Sequence, residues 1–208
     1  MKENILILAP HTDDGEFGCG GTIARLLEEG NNVYYVAFST CRASVPPGER
    51  EDVLAIELNN AMKVFGIDDT HTIILDYPVR NFHEHRQSIL DDMLCISEKT
   101  NPTRVFAPSI HDIHQDHQVI AEEAMRAFKK VDLFAYEVPW NNFTFSNQAY
   151  YKLEKHHVEI KRKAIECYAT QRLRAYSSED FTYGQMRVHG VQVGCEYAEV
   201  FEIVRMIL

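Results

Sequence analysis

Long apolar runs are missing from this 208-residue chain. No stretch approaches the ~20 residues that a bilayer-spanning helix needs, so a helical membrane protein is excluded. Seven prolines and ten glycines are too few for a disordered or collagen-like chain. The five cysteines, Cys19, Cys41, Cys95, Cys167 and Cys195, form an odd set without close pairs, which reads as reduced thiols and excludes a disulfide scaffold. Positive charge is scarce: 21 Lys and Arg stand against 31 Asp and Glu, a formal −10. Such a field repels phosphate backbones and anionic membrane surfaces, so neither nucleic acid nor membrane is expected as a partner. A small anionic substrate gripped by local arginines is still allowed. Met1-Lys2-Glu3-Asn4 leads straight into Ile5-Leu6-Ile7-Leu8-Ala9, too short and too strand-like for a signal peptide. Together with the thiols, this predicts a cytoplasmic protein.

What is present is the composition of an ordinary globular protein, 45% hydrophobic and 25% charged. A chain of this length buries roughly 70% of its unfolded surface without help from a metal or disulfide. Residues 1–208 are expected to form one domain. Apolar strand-like runs (Ile5–Pro10, Val33–Phe38, Thr72–Leu75, Arg104–Pro108, Asp132–Glu137) alternate with helical stripes, among them Leu54, Leu58, Ala61, Met62 and Phe65 ahead of Gly66. Further helices are expected after the His11–Cys19 loop, over about Phe82–Glu98, through Ile120–Phe128, and near His156–Ala169. The alternation predicts an α/β fold with a mostly parallel sheet and helices on both faces. Beyond Trp140 the pattern becomes less regular, ending in a strand-like run at Glu199–Met206, and is read as a C-terminal embellishment.

Two polar clusters follow buried strands, where an open α/β sheet places its ligands. The first is His11-Thr12-Asp13-Asp14-Gly15-Glu16, running on to Gly18-Cys19-Gly20-Gly21-Thr22. Its glycines do not spell G-x-G-x-x-G, and paired carboxylates would repel a pyrophosphate. The second is His111-Asp112-Ile113-His114-Gln115-Asp116-His117 at the mouth of a helix. Each alone is compatible with a capped, solvated helix start. Together they supply the imidazole and carboxylate mixture of a catalytic zinc site, which takes three protein ligands and leaves one position open. His11, Asp14 and His117 are the candidate ligands, and Asp13 is the candidate base acting on zinc-bound water. His114 is expected across the reacting centre as oxyanion partner and acid, with Asp116 accepting a hydrogen bond from its ring and favouring the imidazolium.

The His11-Thr12-Asp13-Asp14 and Gly18–Thr22 segments, with His114-Gln115-Asp116-His117, resemble the PIG-L/LmbE-like family of zinc-dependent N-acetylglucosamine deacetylases. Tyr168-Ala169-Thr170-Gln171 and Tyr197–Glu202 are similar to further family segments. The resemblance implies a Rossmann-like fold, one Zn2+ per chain (with Fe2+ or another divalent ion as the alternative), and the same ligand and base assignments. It also implies that an N-acyl group, usually acetyl, is hydrolysed from an amino sugar or its conjugate. Three departures stand out. Thr12 replaces proline and Gly15 replaces glutamate, with Glu16 one position later. The arginine that lies three residues before the glutamate of the second helix is Leu54 here, so Arg50 or Arg80 becomes the candidate substrate contact, with Arg42 as another source. The competing readings are an amidohydrolase acting on a non-sugar amide, and a sugar- or nucleotide-binding protein that does no chemistry. The aromatic stretch Trp140–Phe145 suits a sugar platform or a subunit contact, and leaves room for a homo-oligomer.

Overall fold

The computed structural model describes residues 2–208. Seven strands form one sheet in the order β3-β2-β1-β4-β5-β7-β6. They are β1 (Asn4–Ala9), β2 (Asn32–Ala37), β3 (Thr72–Ile74), β4 (Arg104–Pro108), β5 (Asp132–Tyr136), β6 (Ala149–Leu153) and β7 (Tyr197–Arg205). The first five pair in parallel, whereas β7 runs antiparallel to both β5 and β6. Six helices connect them: α1 (Asp14–Glu28), α2 (Val53–Phe65), α3 (Arg86–Thr100), α4 (Gln115–Ala127), α5 (Lys155–Glu166) and α6 (Glu179–Gln192). No helix among the described residues is long and apolar enough to cross a membrane.

The uninterrupted apolar run of β1 is explained by cover on both sides, since side chains alternate across a strand. Ile5, Ile7 and Ala9 enter a layer with Ile23 and Leu26 of α1, Leu58 and Met62 of α2, and Ala164 of α5. Leu6 and Leu8 enter the opposite layer with Ile89 and Met93 of α3 and Ile120 and Ala124 of α4. The chain leaves β1 in one direction for β2 and β3, and β4 and β5 lie on its other side. Strand order therefore reverses between β1 and β4, which opens a crevice at their carboxyl ends.

The structure differs from expectation in three places. The first loop is shorter than predicted, because α1 starts at Asp14 and is broken at Cys19 (φ −145°, ψ 25°). The helix expected from Phe82 divides into a 3₁₀ turn, Phe82–Glu84, and α3. The embellishment proves integral, since β6 and β7 extend the sheet and α6, which precedes β7 in sequence, packs against it. Neither β6 nor α6 was legible. β6 is a half-exposed edge strand, and α6 lacks a single apolar stripe: Met186 is buried while Val188 and Val191 face out.

Candidate active site

Both polar clusters meet in the crevice. His11 is delivered by the end of β1, and its backbone N–H donates to Asp14 Oδ2 at 2.7 Å. Asp14 opens α1, and His117 lies in the first turn of α4. His11 Nδ1, Asp14 Oδ2 and His117 Nε2 form a nearly equilateral triangle: 3.1 Å between His11 and Asp14, 3.2 Å between Asp14 and His117, and 3.2 Å between the two rings. A tetrahedral ion with bonds of 2.0–2.1 Å has ligand edges of about 3.3 Å, so the donor set fits zinc or a similar divalent metal. Replacing Asp14 by His114 gives another set of three donors within 4.8 Å of one another. Asp14 is the better ligand: its edges are shorter and it brings negative charge.

Each imidazole is aimed by a buried carboxylate, the support that metal-binding histidines require. Asp112 Oδ2 lies 2.7 Å from His117 Nδ1, and Asp116 Oδ2 lies 3.0 Å from His11 Nε2. Asp112 and Asp116 are both fully buried. The position of Asp116 corrects an expectation, because its carboxylate serves His11 and not the ring of His114. Helix α4 begins one residue after His114, which becomes the N-cap; its Nδ1 accepts the Asp116 backbone N–H at 3.2 Å. In the neutral ring the proton therefore sits on Nε2, available for donation.

The electrostatics favour a cation in the triangle. Burial opposes charge on His11, but Asp14 and Asp116 outweigh it and lift His11 to about 9. Burial likewise opposes charge on His117, yet Asp14 and Asp112 raise it to about 10. Asp14 stays well below the usual carboxylate range, because the two histidines overcome its burial. A divalent ion would satisfy the field that otherwise holds protons on these rings. Asp13 behaves differently. Burial and the charge of Asp14 push it up to about 7, and its carboxylate takes no hydrogen bond from a protein side chain. His114 is lowered to about 4 by burial and by the charges of His117 and His11.

Gly15 and Glu16 brace this loop from behind. A Cβ at Gly15 would stand 2.5 Å from Tyr35 Cε2 and 2.8 Å from its hydroxyl, so a larger residue cannot occupy the position without moving Tyr35. Glu16 is buried and accepts hydrogen bonds from the hydroxyls of Tyr35 and Tyr168. Both hydroxyls also reach the Thr12 carbonyl, at 3.2 and 2.6 Å. Burial pushes Glu16 up to about 8 despite these bonds. One residue after Gly15, a buried carboxylate thus ties together the two tyrosines that support the Thr12 carbonyl.

A cleft of about 330 Å³ opens above the triangle, within the range of small-molecule sites. Its floor is His11, Asp13, Asp14, His114 and His117, and one wall carries Trp140, Gln171, Arg174 and Tyr176. Trp140 and Tyr176 stack at 3.9 Å with 14° between their planes. Glu57 of α2, buried, fixes the wall by accepting the Thr170 N–H at 3.0 Å and its hydroxyl at 2.6 Å. Leu54, Cys41 and Arg80 also line the cleft. Cys41 and Arg80 have left-handed backbones, φ 56° and 69°, a strain of the kind that collects at functional sites. At Arg80 this conformation directs the backbone N–H onto Asp116. Arg50 is not on the cleft; its guanidinium is clamped by Asp52 at 2.7 and 2.9 Å. Sequence reasoning missed the Asp112–His117 contact and the Trp140–Tyr176 stack, whose members are distant in sequence or belong to irregular segments.

A second group of potential ligands, Glu28, His156 and His157, lies at the far end of α1. His157 Nδ1 accepts the Glu154 N–H as part of a helix cap, so its Nε2 carries the proton and donates to Glu28. That arrangement is a hydrogen-bonded helix cap.

The PIG-L family pattern, described as GlcNAc-PI de-N-acetylase, matches residues 6–128, more than half of the chain. The chain belongs to the PIG-L family. It is 25% identical over 172 residues to an uncharacterized deacetylase, YaiS, of Escherichia coli K12, covering 79% of this chain and 90% of that one. It is 28% identical over 141 residues to a probable N-acetyl-alpha-D-glucosaminyl L-malate deacetylase 2 of Bacillus cereus, covering 63% of each. The solved N,N'-diacetylchitobiose deacetylase of Pyrococcus horikoshii superposes with a TM-score of 0.81 at 21% identity, over 97% of this chain and 84% of that one. The PIG-L match contains the whole triangle and its supporting carboxylates. Trp140, Gln171, Arg174 and Tyr176 lie beyond it.

Proposed function

We propose that this PIG-L chain is a divalent-metal, zinc-type hydrolase that removes an N-acyl group, acetyl by preference, from an amino-sugar derivative. The observation that carries the reading is the triangle of His11, Asp14 and His117 with Asp13 unengaged beside it. A pure binding protein has no use for a carboxylate left without a partner in that position. The PIG-L match of this chain and its similarity to deacetylases support the reaction class.

His11, Asp14 and His117 would hold the ion, which supplies Lewis acidity toward water and toward the amide carbonyl. Asp13 takes the proton of the attacking water; its ordinary acidity would be too high for the task, and burial moves it toward neutrality. Neutral His114 donates its Nε2–H to the carbonyl oxygen as negative charge develops there. Because His114 is held neutral, the proton that reaches the departing nitrogen is the one carried by Asp13. Trp140 and Tyr176 offer a flat face to the sugar ring.

The arginines refine the substrate class. Arg25, Arg42, Arg50, Arg86, Arg104, Arg126, Arg162 and Arg187 are all ion-paired with carboxylates. Four arginines are not among the ion pairs of the described residues: Arg172 and Arg205, which lie off the cleft, and Arg80 and Arg174, which line it. In a chain of net charge −10, guanidiniums left without carboxylates at the cleft suit an acylamino sugar bearing an anionic substituent. The whole of residues 1–208 would act as one unit, because the wall comes from the C-terminal third. The free cysteines favour a reducing, cytoplasmic setting.

Zinc stoichiometry after reconstitution and dialysis tests the ligands: about one ion in the wild type and none in His117→Ala. Asp13→Asn tests the base. It is expected to keep zinc and to lose ~10²–10⁴-fold in kcat on N-acetyl amino sugars. Near-normal turnover would remove Asp13 from the mechanism.

A further inference from the structure

Helix α1 is interrupted between the turn bearing Asp14 and the longer segment that ends at Glu28. In an unbroken helix the Gly21 N–H would donate to the Phe17 carbonyl, four residues back. Here both groups are taken over by a buried ion pair. Lys161 Nζ of α5 donates to the Phe17 carbonyl at 2.7 Å and to Glu199 Oε1 of β7 at 2.7 Å. The same Oε1 accepts the Gly21 N–H at 3.0 Å, and Oε2 accepts the Thr22 N–H at 2.6 Å. The N–H groups of Gly21 and Thr22 are both met by the carboxylate, and the two charged side chains stand in series across the break. The side chains of Lys161 and Glu199 are only 2% and 4% exposed. Space for them exists because Gly20 has no Cβ, which would stand 2.9 Å from Lys161 Cγ.

Burying two charges costs several kcal/mol per ion, and apolar replacements of such pairs are often as stable. Stability alone therefore does not account for this pair. We propose that Lys161 and Glu199 are positioning residues: they wedge α1 open at Cys19, so that the first turn aims Asp13 and Asp14 into the cleft at an angle the continuous helix would not give. The inference rests on reading Asp14 as a metal ligand. Donor positions in a metal site must hold to within ~0.5 Å, and re-forming the Gly21–Phe17 bond would redirect the turn that carries Asp14.

The test is the double variant Lys161→Met/Glu199→Leu, which leaves no unpaired buried charge, beside Lys161→Met alone, which strands Glu199. Three quantities are measured: melting temperature, zinc Kd by chelator competition, and the Gly21 amide proton shift, which a carboxylate acceptor moves downfield. The double variant is expected to melt above the single variant, to lose the downfield shift, and to bind zinc at least tenfold more weakly than the wild type. A folded double variant with a zinc Kd within twofold of the wild type overturns the proposal. So does a Gly21 shift that is unchanged. If the double variant does not fold, near-isosteric Glu199→Gln decides: weakened zinc binding supports the wedge, and wild-type affinity refutes it. Absence of zinc from the wild type would instead strike the ligand reading, and the Gly21 shift would still report on the wedge.

Discussion

Asp112→Asn is the substitution whose consequence follows most directly from the geometry. The wild-type carboxylate accepts on both oxygens: Oδ1 takes the His114 backbone N–H at 2.7 Å, and Oδ2 faces His117 Nδ1 at 2.7 Å and takes a longer bond from the Asn141 amide at 3.4 Å. Asparagine has one acceptor oxygen. If that oxygen keeps the His114 N–H, the amide NH2 meets His117 and forces Nδ1 to accept. The proton of the neutral ring then moves to Nε2, the atom in the metal triangle, and blocks coordination. If the amide flips, two donors collide at His114 instead. Either state disables one requirement. Loss of such support costs 10–100-fold in metal affinity, or about 1.4–2.7 kcal/mol. The assay is zinc competition against a chromophoric chelator for wild type, Asp112→Asn and His117→Ala. A zinc Kd for Asp112→Asn within twofold of wild type, with His117→Ala devoid of zinc, would show that the carboxylate does not set the tautomer, and the reasoning would fail.

Other outcomes follow from the same structure. Gly15→Ala drives a methyl into the buried ring of Tyr35, an overpacking worth ~1–3 kcal/mol, or a fall in Tm of roughly 3–10 °C at this chain length; an unchanged Tm in scanning calorimetry would mean that Tyr35 yields freely. Trp140→Ala is expected to raise KM for an N-acetyl amino sugar several-fold with kcat largely retained, and a fall in kcat at constant KM would show that the stack does not bind ground-state sugar. Burial raises Glu137, but hydrogen bonds to His189 and Gln185 outweigh it and hold its carboxyl below the ordinary 4.5. Its stabilisation is therefore complete above that value and is lost as pH falls through the depressed native value. Tm measured against pH should fall less steeply below 4.5 in Glu137→Gln than in the wild type, and parallel acid limbs would contradict the assignment.

What was legible in the sequence was whatever repeats with a fixed period or sits at a strand end. The run Ile5–Ala9 announced a strand covered on both faces, and the two histidine clusters announced themselves by following such strands. Contacts that join distant segments through single side chains left no such trace. The cluster that contains Asp112 was also compatible with a capped helix start, because capping and histidine support call for the same residue type. Asp116 was assigned to His114, two residues before it, yet it reaches His11 across the crevice, 105 residues away. The aromatic wall was obscured for a related reason: Tyr176 belongs to a 3₁₀ segment, where no apolar stripe marks the buried side.

The two halves of the cleft are held in place by different means, and this has a consequence for specificity. The donor triangle is attached to the ends of β1 and β4, neighbouring strands in the middle of the sheet, and its positions are fixed by ladders with residues packed on both faces. The wall is attached by a few side-chain bonds, chiefly Glu57 to Thr170, and by stacking of Trp140 on Tyr176. Changes in the wall can therefore alter which sugar derivative is admitted without disturbing the donor triangle. Loosening the wall with Glu57→Gln should change KM while zinc affinity stays at the wild-type value. A parallel loss of zinc would mean that the wall and the floor form a single cooperative unit, and that the separation between holding the metal and choosing the substrate is false.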